Sequence, residues 1–218
     1  MAIGTCPSRH QACAQADLEL WNTPPNWITL VRTVLAVGLA LAAASQQSLT
    51  LVLVATGIYW VGDMADGAVA RWMHRETRTG AVLDIICDRL CASVIYIGLV
   101  WLMPDMWIPI AIYLLSFSVL DLMLSLSFLL FPLSSPNYFY LADPLIYKLN
   151  WSRIAKGINS AAFLVVVIAF ESMLIATLLA IGLTSLKLYS LYLLSKITTP
   201  TSSECAHEYA QTRADASP

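Results

Sequence analysis

The chain has 218 residues, 58% of them hydrophobic and only 12% charged, and its mean hydropathy is +0.70. That mix excludes an ordinary soluble domain, and a formal net charge of −2 gives no electrostatic reason to expect nucleic acid as a partner. The five cysteines are odd in number and scattered, which argues against a disulfide framework.

Residues 1–22 are too polar for the apolar segment of a secretory signal, so no cleaved leader is expected. Within them, 11–21 is a candidate short interfacial helix. Cys6, His10 and Cys13 lack a fourth ligand at suitable spacing, which makes zinc a poor assignment. The two prolines of NTPPNW mark a helix start at Pro24 and Pro25. Apolar runs follow at about 27–44, 49–73, 80–103 and 107–131, then a loop containing PLSSPNY and ADP. The next apolar stretch, 153–194, is too long for a single crossing of about 20 residues. Glu171 is its natural break, giving spans near 153–170 and 172–194. The tail, 196–218, is polar and expected to be disordered. The predicted fold is an all-α integral membrane protein with six transmembrane helices over 23–195.

Six spans put both termini on one side. The connections at 45–48, 104–106 and 171 contain no Lys or Arg. Arg71, Arg75, Arg78, Lys148, Arg153, Lys156, Lys196 and Arg213 all fall on the other side of the membrane. The positive-inside rule places that side, with both termini, in the cytoplasm of a multi-pass cell-membrane protein.

The segment VGDMADGAVARWMHRETRTGAVLDIICDRL, 61–90, carries four aspartates. Asp63 and Asp66 are three residues apart and Asp84 and Asp88 four, so each pair shares one helix face. The charged linker between them lets the two helices return antiparallel, which brings the pairs together at the cytoplasmic ends. Carboxylates that close repel one another and need a counter-charge. Oxygen ligands on rigid helices suit Mg²⁺ or Mn²⁺, with substrate phosphates completing the shell. Two such ions across a phosphoryl group would stabilise both the attacking and the leaving oxygen. Gly67, Ala70 and Gly80 keep bulk low on these faces, either for a ligand or for close helix packing. Arg71 offers a planar fork for a diphosphate. Arg75, Glu76 and Arg78 read as solvated surface charges, and Cys87 and Cys91 as small packing residues.

Written out, the segment is Asp63-x2-Asp66-Gly67-x2-Ala70-Arg71-x8-Gly80-x3-Asp84-x3-Asp88, which resembles the full signature of the CDP-alcohol phosphotransferase (CDP-alcohol phosphatidyltransferase) family. The resemblance covers roughly 22–195. It implies a membrane enzyme that moves a substituted phosphate from a CDP-linked donor to an alcohol and releases CMP. By similarity Asp63, Asp66 and Asp84 bind the metals, and Asp88 reaches the second ion and accepts the proton of the attacking alcohol. Gly67, Arg71 and Thr77 would contact the CDP part, with Ala70 and Gly80 leaving room for it. The Pro25-Asn26-x2-Thr29-x2-Arg32 pattern also resembles lipid-making members. There Asn26 and Thr29 would seat the cytidine or its sugar, unless they serve only to cap the helix. Arg32, one turn into the span, calls for a carboxylate or phosphate partner.

WSRIAKGIN, with Ser152, Arg153, Lys156 and Asn159, loosely resembles a stretch of the phosphatidylglycerophosphate synthases. Arg153 and Lys156 would hold an anionic acceptor, or act as ordinary membrane anchors. PPNWITLVRTVLA is similar to the phosphatidylglycerophosphate and cardiolipin synthase branches, although the first more often has Lys where Arg89 stands. Glycerol 3-phosphate or phosphatidylglycerol is therefore the expected acceptor, with inositol phosphate or another alcohol as the alternative. The expected donor is CDP-diacylglycerol, and the expected assembly a homodimer. Membrane prenyltransferases lack the DG-x2-AR element. An aspartate-lined cation transporter would carry its carboxylates near mid-membrane rather than at helix ends.

Overall fold

A computed structural model describes residues 12–13 and 20–197, apart from the side chain of Ser160. The candidate interfacial helix at 11–21, most of the polar tail, and Cys6, His10 and Cys205 lie outside these residues or largely so.

The structure is helical almost throughout. Helix α1 (Pro24–Gln46) starts with its two prolines in the first turn, where a missing N–H costs nothing. It ends at Gln47, whose positive φ of 50° turns the chain straight into α2 (Leu49–Trp72). After a short turn at His74, α3 (Arg78–Leu102) begins at Thr77, whose hydroxyl accepts the Gly80 N–H at 2.9 Å. Helix α4 (Pro104–Leu130) contains a π-helical turn at Ser116–Asp121. A 3₁₀ segment, Pro136–Leu141, and α5 (Pro144–Asn150) then fill what the sequence presented as loop. Two short helices follow, α6 (Arg153–Gly157) and α7 (Phe163–Phe170), and then α8 (Met173–Leu194).

Among the described residues, α1, α2, α3, α4 and α8 are long and apolar enough to cross a membrane. The sixth predicted span, 153–170, is not among them. It is three consecutive pieces, because the backbone widens into a π turn at Ile158–Ala162 between α6 and α7. There the Asn159 carbonyl accepts a hydrogen bond from the Tyr113 hydroxyl at 3.0 Å. The break expected at Glu171 is present, with a positive φ of 48°.

Helix α1 packs on α2 and α3 through small residues. Ala36, Ala40 and Ala43 are fully buried in one cluster with Ala55 of α2 and Cys91 and Ala92 of α3, which lets the backbones approach closely. Cys87 and Cys91 are buried free thiols, as expected of packing residues. Outward-facing side chains such as Val34, Ile97 and Leu178 are apolar and exposed, which suits a hydrocarbon surround rather than water. A second cluster, built on Phe128, Phe131, Phe139 and Trp151, ties the 131–151 region to the base of α3 and α4. Arg78 locks it there by donating to the Leu133 and Phe131 carbonyls, and Cys13 forms an isolated antiparallel bridge with Leu133.

Candidate active site

The antiparallel turn from α2 to α3 puts the last turns of one helix beside the first turns of the other. Asp63 and Asp66 thereby meet Asp84 and Asp88 along the wall of one cavity of about 250 Å³. Carboxylate oxygens of Asp63, Asp66 and Asp84 lie within 4.8 Å of one another, a spacing that fits a shared cation. Asp88 lines the same cavity one turn further along, outside that triplet. Asp66 is buried, whereas the Asp63 side chain is 42% exposed.

Into this cluster projects Arg32 from α1. Its Nε donates to Asp66 Oδ2 at 2.9 Å, and its Nη2 donates to Asp84 Oδ1 and, at 3.1 Å, to Asp88 Oδ1. The same nitrogen lies 3.6 Å from Asp63 Oδ1. Of the two partners the sequence allowed for Arg32, a carboxylate or a phosphate, the carboxylate is thus present four times over. Thr29, one turn earlier, donates to Asp66 Oδ2 at 2.7 Å. Burying that carboxylate is tolerable because it accepts two such bonds.

The other positions singled out from sequence are also gathered here. Asn26, Thr29, Gly67, Ala70, Arg71, Thr77 and Gly80 all line the cavity. Asn26 donates to the Trp21 carbonyl at 2.9 Å, and its Oδ1 sits where a side chain on Gly80 would have to go. Gly80 therefore serves close approach between the starts of α1 and α3, as well as an open wall. Lys156 lines the cavity and donates to Asn137 Oδ1 at 2.6 Å, but Arg153 is exposed and stays out of it. Glu76 and Arg78 are not the surface charges expected. Glu76 is half-buried and accepts from the Tyr138 hydroxyl at 2.5 Å, and burial pushes its carboxyl above the ordinary range despite that bond.

A second polar cluster borders the same cavity and was not foreseen. Asp121, in the π turn of α4, accepts from Arg89 Nη2 and lies 2.6 Å from Lys187 Nζ of α8. Lys187 also donates to Asn150 Oδ1 at 2.8 Å, Asn150 donates to Ser190 at 2.9 Å, and Arg89 reaches Ser125 at 3.1 Å. Two cations thus share one carboxylate, and Arg89 Nε is buried without a partner. A lone Lys in a long apolar helix was the available signal, since such a charge needs an internal partner. The partner's position could not be found from sequence, because the π turn aims Asp121 inward.

The family model described as CDP-alcohol phosphatidyltransferase matches residues 22–184. The chain belongs to that family. Curated relatives include the phosphatidylinositol phosphate synthase of Corynebacterium glutamicum, 39% identical over 77 residues, 35% of each chain. The enzyme of the same name from Mycolicibacterium smegmatis is 40% identical over 88 residues, 40% of this chain and 39% of the relative. These matches span well under half the length of the relatives. No solved structure matches the chain. The all-oxygen donor set at the α2–α3 turn fits the divalent ions that this phosphatidyltransferase family uses.

Proposed function

We propose that this protein transfers the phosphatidyl group of CDP-diacylglycerol to an inositol phosphate and releases CMP. The observation that carries the proposal is a single cavity with four carboxylates on one part of its lining and Arg89, Lys187 and Lys156 on another. The first suits a cation-bound diphosphate. The second, with two cations sharing Asp121, retains positive charge for the phosphate of an anionic acceptor. The two relatives above are named for a product carrying inositol phosphate, and they favour it over the glycerol 3-phosphate or phosphatidylglycerol expected from the first span.

Asp63, Asp66 and Asp84 would hold the first cation, with Asp88 reaching a second. Such ions neutralise charge building on the diphosphate. Asn26, Gly67, Arg71, Thr77 and Gly80 then frame the cytidylyl part, while Lys187, Arg89 and Lys156 orient the acceptor. The acceptor hydroxyl oxygen attacks the phosphorus that bears the diacylglycerol, and Asp88 takes its proton. The bond from that phosphorus to the bridging oxygen breaks, and CMP leaves with the electron pair. We also place the cavity and both termini on the cytoplasmic side, as the distribution of Lys and Arg supports. The stretch 153–170 is the sixth crossing in this arrangement: its pieces run on without a gap over about 27 Å at 1.5 Å per residue.

Purified protein with Mg²⁺ or Mn²⁺ should release CMP from CDP-diacylglycerol fastest when an inositol phosphate is offered beside glycerol 3-phosphate, phosphatidylglycerol, inositol and serine. Asp88→Asn should abolish release. Release surviving in that variant defeats the base assignment, and a preference for glycerol 3-phosphate defeats the acceptor.

A further inference from the structure

Arg32 is the feature of the site that the proposed reaction leaves without a task. Its side chain is 3% exposed, and Nε and Nη2 between them engage four aspartates. Its third nitrogen, Nη1, is buried with no hydrogen-bond partner, and the ring of Tyr59 lies 5.6 Å from its Cζ. The stem of the side chain reaches the cluster by running across Gly62 of α2. A Cβ on that glycine would stand 2.5 Å from Arg32 Cδ and 2.6 Å from Arg32 Cβ. The second contact is at the root of the side chain, which cannot swing away. Any residue larger than glycine must push α1 off α2 or drive Arg32 out. Gly62 belongs to none of the motif positions above, so the arginine and its notch form a device separate from the aspartate signature.

The electrostatics give the device a purpose. Four carboxylates in a partly buried wall repel unless positive charge lies among them. A guanidinium stays charged at any working pH, and it offers several donors at once. Yet two of the carboxylates it holds, Asp66 and Asp84, belong to the triplet at metal-ligand spacing.

We propose that Arg32 is a tethered counter-ion: it holds the aspartates together when no divalent ion is bound, competes with the ion for their oxygens, and depends on Gly62 to reach them. The inference rests on the reading that these aspartates take divalent ions. The protein therefore folds without metal, and it binds metal more weakly than the bare carboxylates would. At a separation of about 5 Å, a unit charge weakens a divalent ion's binding at least about tenfold even at a water-like dielectric.

The test uses the full chain in detergent without nucleotide. Mn²⁺ affinity is read from the electron paramagnetic resonance signal of the free ion, and melting is followed in EDTA and in saturating Mn²⁺. Arg32→Gln should bind Mn²⁺ at least about tenfold more tightly than wild type. It should melt lower in EDTA and recover the wild-type temperature in Mn²⁺. Gly62→Ala should shift both readings the same way, and Arg32→Lys should fall between. If Arg32→Gln can be purified only with Mn²⁺ present, that dependence supports the proposal, and Arg32→Lys supplies the affinity. Wild type and variants binding Mn²⁺ equally would overturn the proposal, as would a melting loss that Mn²⁺ does not repair. If neither wild type nor any variant binds Mn²⁺, the metal site itself fails, and the tethered counter-ion with it.

Discussion

Replacing Asp121 by asparagine leaves the geometry of the second cluster nearly unchanged and removes the carboxylate that Arg89 and Lys187 share. Arg89 and Lys187 would then face each other across a neutral amide. Their side chains are 13% and 6% exposed, and Asp121 itself is 14% exposed, so solvent screens this charge poorly. Breaking a buried pair by removing one partner costs about 3–5 kcal/mol. The cluster borders a cavity that water can enter, which favours the lower end, near 3 kcal/mol. For a chain of this size that corresponds to a fall in melting temperature of roughly 6–12 °C. Thermal unfolding in detergent, followed by tryptophan fluorescence, would measure it. Asp121→Asn combined with Lys187→Met removes one of the stranded cations and should regain at least half of the loss. Inorganic phosphate, or an inositol phosphate, should also raise the melting temperature of Asp121→Asn more than that of wild type, because an anion can replace the missing carboxylate. A shift under about 2 °C, or a double variant no more stable than the single one, would refute the claim that two cations depend on this carboxylate.

Two further substitutions probe other parts of the cavity. A Cβ at residue 80 would lie 2.9 Å from Thr77 Oγ1 and 3.0 Å from Asn26 Oδ1; Gly80→Ala should therefore cost roughly 1–3 kcal/mol of stability and weaken CDP binding measured by calorimetry, and unchanged CDP affinity would count against that wall as a nucleotide seat. The carboxyl of Glu76 titrates above its ordinary range in the folded protein because it is buried, so its ionisation opposes folding. Its contribution is full below the ordinary carboxylate range and is lost as pH rises through the raised folded value. Glu76→Gln, which can still accept the Tyr138 hydroxyl, should melt above wild type at neutral pH, with the gap closing on acidification; a gap that widens instead would show that the ionised form is the stabilised one.

Much of this protein was determined locally. The apolar runs fix where α1 to α4 and α8 lie to within a few residues, because a membrane leaves few alternatives to a helix of about 20 residues. The spacing of Asp63, Asp66, Asp84 and Asp88 fixes their faces, and a short turn between two helices forces those faces together. Prolines at Pro24 and Pro25 and hydroxyls at Ser48 and Thr77 mark helix starts by chemistry that acts within one turn. Only the tertiary structure decided that Arg32 sits among the aspartates, since its reach depends on a missing side chain at Gly62 on another helix. It also decided that Arg89 and Lys187 share Asp121, and that Lys156 rather than Arg153 borders the cavity. The Arg32 and Asp121 relations join residues 30 to 66 positions apart through a π turn and a glycine notch. Periodicity cannot register a π turn before the backbone shows it, and contacts between distant helices depend on packing that no single stretch of sequence encodes.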